Sequence, residues 1–160
     1  MPTYVNNDLR KDLEEISKDL IGTVNYAAEK FNTISEKEWS TPISEGGWCK
    51  KEILGHLLDS ASNNHIRFVR IQLATNEFKG LSYEQDFFVS SQKYKKRSAI
   101  ELIELWVSFN RHLAHVIKHI DPSKLNVICK IGDSEPVPFL FVIEDYLGHL
   151  KHHLKQILVE

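Results

Sequence analysis

The sequence predicts an all-α fold, a four-helix bundle with long connecting loops, and three observations carry that expectation. Four segments repeat apolar residues at steps of three and four, the period of one helix face. The links between them are long for a bundle. Only one short stretch is rich in β-prone residues. A chain of 160 residues, 42% hydrophobic and 26% charged, suits one globular domain over 1–160 with a core large enough to need no disulfide.

The first helix is expected from about Asp8 to Phe31. Leu9, Leu13, Ile16, Leu20, Val24, Ala27 and Phe31 form its apolar face, and Asn6 or Asn7 is placed to cap it. The second is expected from about Lys50 to Ala74, with Ile53, Leu57, Phe68 and Ile71 in phase. The third runs from about Ala99 to Ile120. Ser98 and Glu101 have the spacing of a capping box, and Asp121-Pro122 is a stop. The fourth runs from about Phe139 to Leu158, with Ile143, Leu147, Leu150, Leu154 and Ile157 in phase. Of the links, 32–49 contains Pro42 and Gly46-Gly47. The link over 75–97 carries Tyr83, Phe87 and Phe88, aromatics expected to pack. The link over 121–138 holds Lys124–Ile131, the β-prone piece, expected to form a small hairpin.

Composition excludes several function classes. A formal charge of −2 does not suit a protein that neutralises nucleic-acid phosphates. No apolar run reaches the roughly 20 residues of a membrane span, and the charged start MPTYVNNDLRKDLEE does not read as a secretory signal. With two cysteines, Cys49 and Cys129, neither in a CxxC pair, the expectation is a cytoplasmic protein with idle, reduced thiols.

Six of the eight histidines lie beyond residue 110. On the fourth helix, at about 100° per residue, His153 falls about 80° from Ile143 and His149 about 120° to the same side. They are an i, i+4 pair able to converge on one point, while His152 points away from the core. On the second helix His56, Ser60, Asn63 and Arg67 follow i, i+4, i+7 and i+11, a polar line beside the apolar stripe. Buried polar groups are costly unless satisfied, so this line marks a candidate site. His56 joined to His149 and His153 gives three imidazoles for a divalent metal, with positions left open as in catalytic sites. Imidazole suits zinc, nickel, iron and copper alike. A hydrogen-bonded core histidine is the plainer reading of His56 alone. His112, His115 and His119 on the third helix are a rival cluster, but they share a face with Glu101, Glu104 and Ser108 and read as solvated.

The run Gly47-Trp48-Cys49-Lys50-Lys51-Glu52-Ile53-Leu54-Gly55-His56-Leu57-Leu58-Asp59-Ser60, with Asn63 and Ile66-Arg67-Phe68 after it, resembles the DinB-like superfamily, in particular its YfiT-like branch. So does Glu144-Asp145-Tyr146-Leu147-Gly148-His149-Leu150-Lys151-His152-His153 near the end. The resemblance spans nearly the whole chain. It implies a bundle in up-down-down-up order, frequent homodimers, and a divalent ion on His56, His149 and His153, nickel or zinc first, then iron or manganese. It also implies either transfer of a low-molecular-weight thiol to an electrophile or metal-dependent hydrolysis. Gln156 stands where some relatives carry a further histidine, and His65 where some carry tyrosine, which bears on the substrate.

The expectation is therefore a metal-dependent enzyme, a thiol S-transferase or hydrolase, acting on a small molecule. The alternative is a metal-binding or stress-associated protein without catalysis, and beyond it a structural helical dimer. In the enzyme reading Arg67 anchors an anionic group and Asn63 supplies a hydrogen bond. Asp59 and Asp86 are the candidate bases, Asp145 is a candidate to orient a ligand histidine, and Tyr83 and Phe87 wall the pocket.

Overall fold

The four apolar stripes meet in one core. The computed structural model describes residues 3–159, with the side chains of residues 8–159. Its long helices are α1 (Thr3–Phe31), α3 (Lys50–Ile71), α5 (Ala99–Lys118) and α6 (Phe139–Leu158), joined by the short α2 (Glu36–Ser40) and α4 (Gln85–Gln92). Every in-phase residue expected on the second and fourth helices is buried, as are Leu13, Leu20, Val24, Ala27 and Phe31 of the first. The helix α1 packs on α5 and α6, and α3 packs on the same two. Consecutive helices α1 and α3 thus occupy diagonal corners, and so do α5 and α6. Within this frame Ser17 Oγ donates to Ala114 O across α1 and α5 (2.8 Å), and the Tyr146 hydroxyl donates to Asn110 Oδ1 across α6 and α5 (2.5 Å). No described helix is long and apolar enough to cross a membrane.

Some helix ends differ from expectation. The first helix starts at Thr3, so Asn6 and Asn7 lie within it rather than at its cap, and their side chains fall outside the described residues. Ser98 occupies the cap of α5, but its side chain makes no capping bond, and Glu101 reaches back to Arg97 instead. Two reciprocal caps form elsewhere. Ser35 and Glu38 close a capping box on α2, which sets Trp39 edge-on against Phe31 at 5.1 Å. At α3 the Cys49 N–H donates to Glu52 Oε2 (2.9 Å).

The links are more structured than a bundle requires. Strands β1 (Glu77–Gly80), β2 (Ile128–Ile131) and β3 (Val137–Pro138) form a sheet in that order. The hairpin expected near Lys124–Ile131 is the antiparallel β2–β3 pair, turned at Gly132 with φ 58°. The parallel partner β1 comes from the preceding link, with Phe78 opposite Cys129. Four residues with the burial pattern of a shallow surface strand leave little periodicity to detect. Of the link aromatics, Tyr83 and Phe88 pack together at 4.9 Å between ring centroids, whereas Phe87 is 68% exposed and walls nothing.

Candidate metal centre

Helix phase brings three histidines from α3 and α6 to one point. His56 is fully buried, and its Nε2 lies 3.1 Å from Nε2 of His149. One ring nitrogen from each of His56, His149 and His153 falls within 4.8 Å of the others. Among the described residues this is the one such group of three. His112 and His115 are exposed on α5 and His119 at its C-cap; the rings of His115 and His119 lie 4.3 Å apart, but the three do not converge on one point, and His152 is exposed as expected. Cys49 and Cys129 are buried free thiols. Burial pushes both up, Cys129 to about 11, so neither is a ready nucleophile at neutral pH.

The triad is held in its neutral form. Burial, then the neighbouring His149 and His153, lowers His56 to about 4. Burial also brings His149 to about 4 and lowers His153. The ring orientations favour free lone pairs toward the centre. His153 Nδ1–H donates to Gln156 Oε1 (2.8 Å), which leaves Nε2 as the acceptor, and Ser60 Oγ stands 3.5 Å from His149 Nδ1. Two Nε2 atoms of neutral rings at 3.1 Å repel unless a proton or a cation lies between them. The Nδ1 atom of His56 is buried and lacks a protein partner. An unmade hydrogen bond of this kind costs about 1–3 kcal/mol, which argues against His56 as a satisfied core histidine. Three neutral nitrogens with no carboxylate among them are a donor set that fits zinc, nickel or a similar divalent ion.

Beside His149 lies a cavity of about 420 Å³ between α3, α6 and the structured links. Helix α3 contributes Ser60, Asn64 and Arg67, and α6 contributes Val142, Asp145 and Tyr146. The link residues Ser82 and Tyr83 and the β2–β3 hairpin form the remaining wall. Arg67 donates from Nη2 to Leu81 O (2.9 Å) and from Nη1 to Asn64 Oδ1 (3.4 Å). No carboxylate pairs with it among the described residues, so its remaining donors are available to an anion.

Other expected site residues stand elsewhere. The Asn63 side chain turns back to donate to Asp59 O (2.9 Å), and Asn64 takes the place expected for it. Asn64 lies about 20° from the centre of the apolar stripe against about 80° for Asn63, so helix phase alone contained the signal. Tyr146, about 60° from Ile143 on the histidine side, was legible in the same way. Asp59 is not a base beside the triad. It lies at a separate hollow with Gln92 and Tyr94. Its Oδ1 is 2.6 Å from Tyr94 Oη and 2.7 Å from Gln92 Nε2, while Tyr94 Oη is 2.9 Å from Gln92 Oε1. Tyr94 Oη and Gln92 Nε2 both donate to that carboxylate oxygen. Burial pushes the Asp59 carboxyl up, and the bonds donated by Tyr94 and Gln92 act in the opposite sense. Asp86 is exposed on α4 and does not line the cavity. Asp145 is exposed at the cavity rim, and its charge partly offsets the lowering of His149.

Residues 20–157 match the family model described as the DinB superfamily. The chain is 21% identical over 155 residues to a Bacillus mycoides protein named "Putative metal-dependent hydrolase", spanning 97% of this chain and 88% of that one. It is 22% identical over 152 residues to a protein of Oceanobacillus iheyensis with the same description, spanning 94% and 83%. In structure it is similar to YfiT from Bacillus subtilis, with a TM-score of 0.72 and 18% identity over 98% of this chain and 86% of that one. That protein is described as "a probable metal-dependent hydrolase with an unusual four-helix bundle topology".

Proposed function

The chain belongs to the DinB superfamily, and from that premise we propose that it is a metal-dependent hydrolase of a small molecule bearing an anionic group. His56, His149 and His153 hold a divalent cation, nickel or zinc before iron or manganese. The observation that carries this reading is the convergence of three neutral ring nitrogens within 4.8 Å, one of the rings lining a cavity that also contains Arg67. A bound cation there supplies Lewis acidity, polarising a carbonyl or phosphoryl oxygen and lowering the pKa of water. The protein's own groups do the rest. Arg67 grips the anion, Asn64 and Ser60 line the floor, and Tyr83 and Tyr146 exclude solvent from one side. Cys49 and Cys129 take no part.

Transfer of a low-molecular-weight thiol to an electrophile is the second reading. One observation favours it: a cavity of about 420 Å³ is far larger than a water nucleophile needs. Metal-loaded protein incubated with activated esters and phosphoesters, and with glutathione or bacillithiol plus an electrophile such as 1-chloro-2,4-dinitrobenzene, separates the readings. Product without thiol supports hydrolysis, and product only with thiol supports transfer. Metal content without either product supports a non-catalytic metal-binding or stress-associated protein. We also propose a cytoplasmic homodimer. Ile66 and Val69, exposed on α3, and Leu73, exposed in the turn after it, favour pairing, and light scattering at several concentrations tests it.

A further inference from the structure

A second hollow lies at the other end of the triad. Along α3 and α6 the Arg67 cavity runs from His149 toward one end of the bundle, while His152, Lys155 and Gln156 of α6, Val159 just after it and Ile53 of α3 border a cleft of about 750 Å³ toward the other. The turn before α3 closes it. Gly46 at φ 72° and the bond from Gly47 N–H to Ser44 O (3.0 Å) fold the chain back, so that Ile43 N–H donates to Trp48 O (3.2 Å). Trp48 is thereby laid against His56, with ring centroids 5.3 Å apart. Gln156, which holds His153, lines the same cleft. The cleft thus touches the triad through one residue on each side.

Its lining has a definite chemistry. Ile43, Trp48, Ile53 and Val159 make it apolar, and among the described residues its ionisable groups are His152 and Lys155 and no carboxylate lines it. Lys155 has no carboxylate partner among the described residues. Ile43 and Val159 are left 47% and 78% exposed, so a ligand would remove apolar surface from water. An apolar bed with an unpaired cation at its edge is complementary to an amphipathic organic anion.

We propose that this cleft is a second ligand subsite, taking an organic anion with an aromatic or acyl body against Trp48 and Ile53 and its acidic head at Lys155. Its link to catalysis rests on the triad being the reaction centre, where it would seat the apolar part of the substrate or a second reactant. Binding itself depends only on the cleft. The probe is 8-anilinonaphthalene-1-sulfonate, titrated calorimetrically into the full chain, metal-loaded and metal-free. Methyl resonances of Ile43, Ile53 and Val159 report the location. The expected result is one saturable site in both forms, with shifts confined to those methyls. Ile43→Asp and Lys155→Glu should each weaken it roughly tenfold. The uncharged analogue N-phenyl-1-naphthylamine should bind more weakly than the sulfonate, and Lys155→Glu should erase that difference. Because Ile43→Asp perturbs a turn, the exposed Lys155→Glu variant is the decisive one. Shifts at Ile131 and Val137 in the Arg67 cavity instead, or affinity unchanged by Lys155→Glu, would overturn the proposal. Metal-free binding that persists while the hydrolase assays fail would leave the subsite standing and remove only the catalytic reading.

Discussion

His56 is the residue on which the centre turns, because it is fully buried and its Nε2 meets Nε2 of His149 at 3.1 Å. Two neutral ring nitrogens held this close call for a cation or a proton between them. His56→Ala or His149→Ala should therefore strip bound metal, read by elemental analysis of untagged protein, with helical circular dichroism retained. His152→Ala should leave metal content unchanged. Equal losses at His149 and His152 would mean that the ligand set is wrong. Gln156→Leu removes the acceptor that fixes His153, and the expected cost is about 10–100-fold in metal affinity. Gly55 stands next to His56 for a steric reason. A Cβ there would come within 2.1 Å of the Tyr94 ring. Gly55→Ala should destabilise the protein by about 1–3 kcal/mol through overpacking, measured as a lower denaturation midpoint. At this scale the three histidines could be brought together from helix phase alone, because 100° per residue is an accurate ruler within one helix. Asn63 was preferred to Asn64 because a spacing pattern was followed across the flank of the stripe. Asp59 was misplaced because its partners, Gln92 and Tyr94, come from a link whose path helix phase does not describe.

Among the elements, α4 and the turn after it behave as a strap. Gln92 and Tyr94 both donate to Asp59 Oδ1 of α3. Asp59 is raised in the folded protein, so its contribution to stability is full below the ordinary aspartate range. That contribution is lost as pH rises through the folded value. Asp59→Asn should thus remove that fall, measured by urea unfolding from the ordinary aspartate range upward. A steeper fall in the variant would contradict a raised Asp59. The four long helices were legible to within a few residues, because each carries a wide apolar stripe bounded by Pro, Gly or a polar cap. The strand β1 and the short α2 and α4 were not. Elements of four to eight residues contain too few periods to stand out, and β1 exists only because β2 pairs with it across some fifty residues of chain.

For the whole molecule, acid acts through the triad. His56 and His149 sit near 4 when folded against an ordinary 6.5, so the unfolded chain binds more protons between those values. The triad's contribution to the stability of the metal-free protein is therefore complete above about 6.5 and declines as pH falls toward 4. His149→Gln should make that acid limb shallower. Saturating nickel or zinc should raise the unfolding free energy of the wild type by about 2.7 kcal/mol at a hundred times Kd, and with it the midpoint, and leave His149→Gln nearly unmoved. A wild-type midpoint indifferent to both metals would count against the centre as a whole.

The diagonal placement of successive helices has one more consequence. A polypeptide that visits opposite corners of a square in turn must span its end caps, so its connectors cannot be trimmed to tight hairpins. Here those obligatory spans supply Trp48 on one face and the β2–β3 hairpin on another. Shortening loops is a common way to make a helical protein more robust. In this architecture the same edit would dismantle the walls around the histidines before it touched the interior.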